Sequence, residues 1–122
     1  MKRIVITPWY GKNEEFLNRC KDSVAESGIE HRVVRCGSDW ELQMYELRNE
    51  ADYVAWVDAD DIVYPGALQA AFNLVEETQV GLVYTDEAQI DKDDKILLVN
   101  KGKKTLFDLA SHPKKCAPFK CY

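Results

Sequence analysis

Asp58, Asp60 and Asp61 fall within four residues, directly after the apolar run "YVAWV" at 53–57. Carboxylates that close repel one another, so folding alone gains nothing by collecting them. One physical reading is a solvated acidic turn. The other is a cation held among them, because hard divalent ions such as Mg²⁺ and Mn²⁺ prefer carboxylate oxygen. Mg²⁺ usually takes one or two carboxylates and completes its shell with water and substrate phosphates. Two further groups have chemistry to offer: "TPWY" at 7–10 puts two flat rings side by side, and "TDE" at 85–87 adds two more carboxylates.

The elements that must position these residues follow from the apolar pattern. "RIVIT" at 3–7 predicts a buried strand, bounded by Pro8. Asn13 stands where a helix cap belongs, Phe16, Leu17, Cys20 and Val24 share one helical face, and Gly28 ends that helix. "HRVVRC" at 31–36 predicts a second strand. Ser38 and Glu41 have the spacing of a capping box, and Trp40, Met44, Leu47 and Ala51 then recur at helical spacing. "YVAWV" is the third strand. Pro65 suits the first turn of a helix whose inner face is Leu68, Phe72 and Val75. "VGLVYT" at 80–85 predicts a fourth strand, and "QIDKDDKILLV" a hairpin turning at Lys92-Asp93-Asp94 and returning through 96–99.

Strands that alternate with helices imply a mainly parallel sheet with helices on both faces, a three-layer, Rossmann-like α/β sandwich. Near-continuous apolar strands are what burial on both faces requires. In such sheets ligands bind beyond the carboxyl ends of the strands. Thr7, Pro8, Trp9 and Tyr10, then Asp58, Asp60 and Asp61, then Thr85, Asp86 and Glu87 are all expected at that edge. A metal bridging the carboxylates to a diphosphate, with a base flanked by the rings, fits that set of groups.

The stretch "ADYVAWVDADDIVYPGALQAAFNLVEETQVGLVYTDEAQIDKDDK" resembles the nucleotide-sugar half of family-two glycosyltransferases, which have the GT-A fold. There an apolar strand ends in Asp-x-Asp-Asp, a Pro-Gly helix start follows, and a later strand ends in Tyr-Ser/Thr-Asp-Glu. The opening "RIVITPWYGKNEEFLNRCKDSV" resembles the family's first strand, nucleotide loop and first helix. The resemblance covers roughly residues 2–95, most specifically 51–92. It implies a shortened GT-A domain in which Asp60 coordinates Mn²⁺ or Mg²⁺, Asp58 contacts the ribose or the metal's water shell, and Asp61 supports them. Thr7, Pro8, Trp9 and Tyr10 become nucleotide-contacting residues, the last three lining the base pocket. The implied donor is a nucleoside diphosphate sugar, most often a uridine one. The implied reaction is an inverting transfer to a carbohydrate acceptor, a carboxylate taking the acceptor's proton.

The chain departs from that pattern in three places. Arg35-Cys36-Gly37-Ser38 stands where the family has Asp-Asp-Gly-Ser, which leaves Asp39, from a shifted position, to read the base. A helix and strand usual before the third strand are missing. The acceptor half that carries the family's base has no counterpart, so Asp86 and Glu87 are the only local base candidates, and the resemblance does not assign them that role. A non-catalytic binding or assembly module of the same fold is therefore the alternative. Asp-x-Asp after a strand also occurs in phosphatases of the haloacid dehalogenase type. That motif normally ends the first strand and continues with Thr or Val, whereas here two strands precede it and Ile62 follows.

Composition sets the wider bounds. The chain has 122 residues, 46% hydrophobic and 30% charged, which suits one globular domain. Residues 1–100 carry ten Lys/Arg against twenty Asp/Glu, and the last 22 carry six lysines against one Asp. The acidic body argues against nucleic acid as a partner, since phosphate backbones need a basic face. We expect a domain at 1–100 and a basic segment at 101–122, a partial acceptor region or a tail that sticks to the acidic body. No apolar run reaches the roughly 20 residues of a membrane span, and the N-terminus lacks a signal-peptide pattern. The expected location is cytoplasmic, with the four cysteines reduced. His112, Cys116 and Cys121 have zinc-ligand chemistry but no familiar zinc spacing.

Overall fold

The computed structural model describes residues 1–100. The expected basic segment at 101–122, with the His112, Cys116 and Cys121 group, lies outside the described residues. Three parallel strands, β1 (Arg3–Trp9), β2 (Glu30–Arg35) and β3 (Tyr53–Trp56), form a sheet in the order β2-β1-β3. Helices α1 (Glu14–Ala25), α2 (Trp40–Glu50) and α3 (Ala67–Thr78) connect or follow them. A separate antiparallel hairpin, β4 (Glu87–Ile90) and β5 (Ile96–Asn100), closes the described chain. The fold is thus mixed α/β, compatible with a Rossmann-like architecture. No helix among the described residues is long and apolar enough to cross a membrane.

The pleat of β1 divides the core in two. Val5 points to one face, where it meets Cys20 and Val24 of α1, Ala55 and Val57, and Leu68, Ala71 and Phe72 of α3. Ile4 and Ile6 point to the other, against Val34, Leu47 and the flanking Trp40, Met44 and Ala51 around α2. Helices therefore cover both faces of the central strand. Each aliphatic side chain so buried contributes about 1.5–3 kcal/mol.

The strand β1 runs through Pro8 to Trp9 and does not stop at residue 7. The reason lies in the pairing. Opposite β1, β3 ends at Trp56, which pairs with Ile6, and Val57 adds one bond to the Ile6 carbonyl. Beyond that point β1 is an edge on the β3 side, where a missing N–H leaves no ladder bond unmade. On the other side pairing continues, and the Cys36 N–H donates to the Trp9 carbonyl at 2.8 Å.

Three expected details differ. Asn13 occupies the cap position of α1 in a left-handed conformation, and its carbonyl, not its side chain, takes the N–H groups of Phe16 and Leu17. The Ser38–Glu41 box does not form; Asp39 precedes α2 and makes no side-chain cap bond. Pro65 lies before α3. Tyr64-Pro65-Gly66-Ala67 is a turn closed by the Ala67 N–H on the Tyr64 carbonyl, with Gly66 at φ 83 and ψ −10. That is the type II arrangement, for which Pro and Gly are the favoured central pair.

The largest correction concerns 80–85, which forms no strand. Gly81 weakens any strand there. The segment runs beside β3 across a cleft of about 270 Å³ bounded by Asp52–Trp56 and Gly81–Val83. Only Val83 packs on the core, while Val80 and Leu82 are about half exposed. The hairpin turns at 91–94 as expected: the Asp94 N–H donates to the Asp91 carbonyl, and Asp91 Oδ1 accepts from Asp93 and Lys95.

Candidate functional site

At the carboxyl end of the sheet, β1 delivers Pro8, Trp9 and Tyr10, and β3 delivers Asp58 and its neighbours. The two segments line one cleft of about 780 Å³, together with Lys12, Asn13 and Phe16. The expected juxtaposition of residues 8–10 with 58–60 is therefore found. It follows from the register, since parallel strands that pair Arg3 with Tyr53 leave the sheet side by side.

A tight turn gathers the carboxylates. The Asp61 N–H donates to the Asp58 carbonyl at 3.0 Å. An oxygen from each of Asp58, Asp60 and Asp61 then lies within 4.8 Å of the others, the one such grouping of His, Cys, Asp or Glu among the described residues. Asp61 is fully buried, Asp58 half-buried and Asp60 exposed. An all-oxygen, three-carboxylate donor set fits a hard divalent cation and does not distinguish Mn²⁺ from Mg²⁺. The chain leaving the turn is pinned to α1 by the Val63 N–H on Ser23 Oγ, 3.1 Å.

The field of this cluster reaches the core beneath it. Burial pushes the Cys20 thiol up to about 11; the Thr7 hydroxyl pulls it the other way, and the Asp61, Asp58 and Asp60 carboxylates add to the rise. Thr7 itself is wholly buried, and its Oγ1 lies 2.6 Å from His31 Nε2 and 3.8 Å from Cys20 Sγ. Its side chain therefore belongs to the packing between β1 and α1, and it does not line the cleft. Burial, with a smaller contribution from Lys21, holds His31 below its ordinary value. A neutral imidazole is the form that meets Thr7.

The aromatic wall is fixed by several contacts. Trp9 Nε1 donates to the Lys12 carbonyl at 2.9 Å, and the Arg35 guanidinium stacks over the Trp9 ring at 5.6 Å. Between them Gly11 takes φ 84, and a Cβ there would meet Arg35 Nη2 at 2.8 Å. Tyr10, 75% exposed, stands at the mouth.

Other expected residues lie elsewhere. Asp39 is exposed before α2 and is not among the residues lining the cleft. Asp86 is exposed, Glu87 is buried at the start of β4, and neither lines it. Sequence reasoning missed Lys12, Asn13, Phe16 and Arg35. Phe16 was expected on the inner face of α1, yet it is 46% exposed and faces the cleft. Its position beside Leu17, at the margin of the 17–20–24 stripe, was the available signal. No protein-family model matches the chain, and no curated protein matches it.

Proposed function

We propose that this domain binds a nucleoside diphosphate sugar, a uridine one by preference, through Mn²⁺ or Mg²⁺ at Asp58, Asp60 and Asp61. In this reading the fold is a shortened GT-A domain of the family-two glycosyltransferase kind. The observation that carries it is that the aspartate cluster and the Pro8-Trp9-Tyr10 wall share one cleft. Bound there, the cation supplies Lewis-acid stabilisation to a departing diphosphate. The chain's own residues divide the remaining work. Trp9, held by Lys12 and Arg35, offers a flat face to a base. The Lys12 ammonium, on the cleft lining, offers positive charge to phosphate oxygens. In this reading Asp58, half-buried, would contact the ribose or the metal's water shell, and the buried Asp61 would support it.

The reading is tested by calorimetric titration of UDP, CDP, GDP and ADP in Mn²⁺ and again in EDTA. Binding of UDP in Mn²⁺ that EDTA abolishes supports it; metal-independent binding, or none, contradicts it.

A second reading, a non-catalytic binding or assembly module, is favoured by one observation: neither Asp86 nor Glu87 lines this cleft. Inverting transfer needs a base within reach of the acceptor hydroxyl. Incubation of the protein with UDP-sugars, Mn²⁺ and a panel of carbohydrate acceptors separates the two readings. Transfer marks an enzyme, and tight donor binding without transfer marks a module.

A further inference from the structure

Beside the nucleotide cleft, a second groove of about 330 Å³ lies between α1 and the hairpin. It shares Phe16 and Asp60 with the first, so the two hollows meet at a carboxylate of the metal cluster. Phe16, Ile62 and Ile90 give the groove apolar walls, and Arg19, Lys92 and Asp91 give it charge. An apolar wall with an aromatic ring suits the flat face of a pyranose.

The charges are not equivalent. Asp91 spends Oδ1 on its own turn, accepting from the Asp93 and Lys95 N–H groups at 2.8 and 3.0 Å. Arg19 Nη2 donates to Asp94 Oδ1 at 2.7 Å, in a pair whose side chains are 43% and 57% exposed. A guanidinium has five N–H donors, so that pairing leaves Arg19 able to make more. Lys92 makes no hydrogen bond or ion pair with the described residues. A metal at the aspartates would offset Asp60, Asp91 is engaged in its own turn and Arg19 is paired with Asp94, which leaves Lys92 as the groove cation without a partner among the described residues.

We propose that this groove holds the sugar of the donor, and that the sugar is an anionic one, a uronic acid whose carboxylate meets Lys92. The inference rests on the nucleotide and metal reading above and adds the substrate class to it. A neutral hexose would fill the same walls and offer Lys92 no charged partner.

The test is calorimetric titration of UDP, UDP-glucose and UDP-glucuronate into the whole chain in Mn²⁺. A charge-assisted hydrogen bond at a partly exposed site is worth a factor of about ten in affinity. UDP-glucuronate should therefore bind about tenfold tighter than UDP-glucose. The ratio of the two affinities should fall to about one in Lys92→Ala and return in Lys92→Arg. Lys92 is exposed in a turn, so the substitution leaves the core untouched. Equal affinities in the parent, or a preference that survives Lys92→Ala, would overturn the inference while leaving UDP binding in place. Failure of UDP itself to bind would overturn the functional reading and this inference together.

Discussion

Ile4, Val5 and Ile6 of β1 are completely buried, whereas Ile96, Leu97, Leu98 and Val99 of β5 are 49–65% exposed. Both runs are equally apolar. What differs is the company each keeps. A strand on either side flanks β1, and helices cover both of its faces, so alternate side chains enter two separate core clusters. Among the described residues β5 has one partner strand, and its successive side chains, pointing to opposite faces, are exposed on both. A two-stranded hairpin of that kind is marginal by itself. The Arg19–Asp94 pair ties it to α1. The cleft between residues 8–10 and 58–60 is thus built wholly on the well-packed half, while the adjoining groove borrows one wall from the weaker half.

The contrast is sharpest for core truncations. Leu68→Ala should destabilise the fold by about 2–5 kcal/mol, because it opens a cavity in a filled core. Leu98→Ala should change stability by less than about 1 kcal/mol. Urea denaturation of the two variants checks this, and equal losses would erase the distinction between the halves.

Backbone substitutions give a smaller version of the same comparison. At Gly66, φ is 83 and no atom lies within 4 Å of an added Cβ, so the penalty is conformational only. Gly66→Ala should cost about 1 kcal/mol. Gly81 has no such φ and equally open surroundings. Gly81→Ala should be neutral or stabilise by about 0.4–1 kcal/mol, through the unfolded chain. A melting series on both variants that reversed this order would place the strain in the wrong half.

The smallest effect is a pH dependence confined to the sheet half. His31 titrates below its ordinary value of 6.5 when folded. The unfolded chain therefore binds the proton more readily, and stability rises with pH where the two forms differ. The contribution is fully present above about pH 6.5 and is lost as pH falls through the folded value. His31→Asn should flatten that part of the stability–pH curve; an unchanged slope would mean that another group carries it.

Much of the sheet half was legible in the sequence, and the physical reason is periodicity. Leu17, Cys20 and Val24, then Leu68, Phe72 and Val75, repeat at helical spacing because one face of each helix meets the sheet, and all six are buried. The parallel order then dictates that residues 8–10 and 58–60 emerge together. Thr7 was expected at the same edge because the edge was read as a list of neighbours. It is wholly buried against Cys20 and His31, and is not among the residues that line the cleft. The loop from Gly11 to Asn13 was not legible, since its shape depends on two left-handed residues, and with it Lys12 went unnoticed. The run at 80–85 misled for the opposite reason: it is apolar enough for a strand, but a strand also needs a partner ladder, and sequence alone does not supply one.

One measurement bears most directly on the aspartate cluster as a metal-dependent nucleotide site. Thermal unfolding of the parent and of Asp60→Asn is followed with UDP and Mn²⁺, separately and together. At about a hundred times its dissociation constant a ligand stabilises the native state by about 2.7 kcal/mol. For a domain of this size that is a Tm rise of about 5–15 °C. The parent should show the rise only with UDP and Mn²⁺ together. Asp60→Asn should unfold at or slightly above the parent's own temperature and show no rise, since the substitution removes one of three crowded charges along with the metal ligand. A parent that does not respond to the pair, or a variant that responds as fully as the parent, would contradict a metal-bridged nucleotide site at Asp58, Asp60 and Asp61.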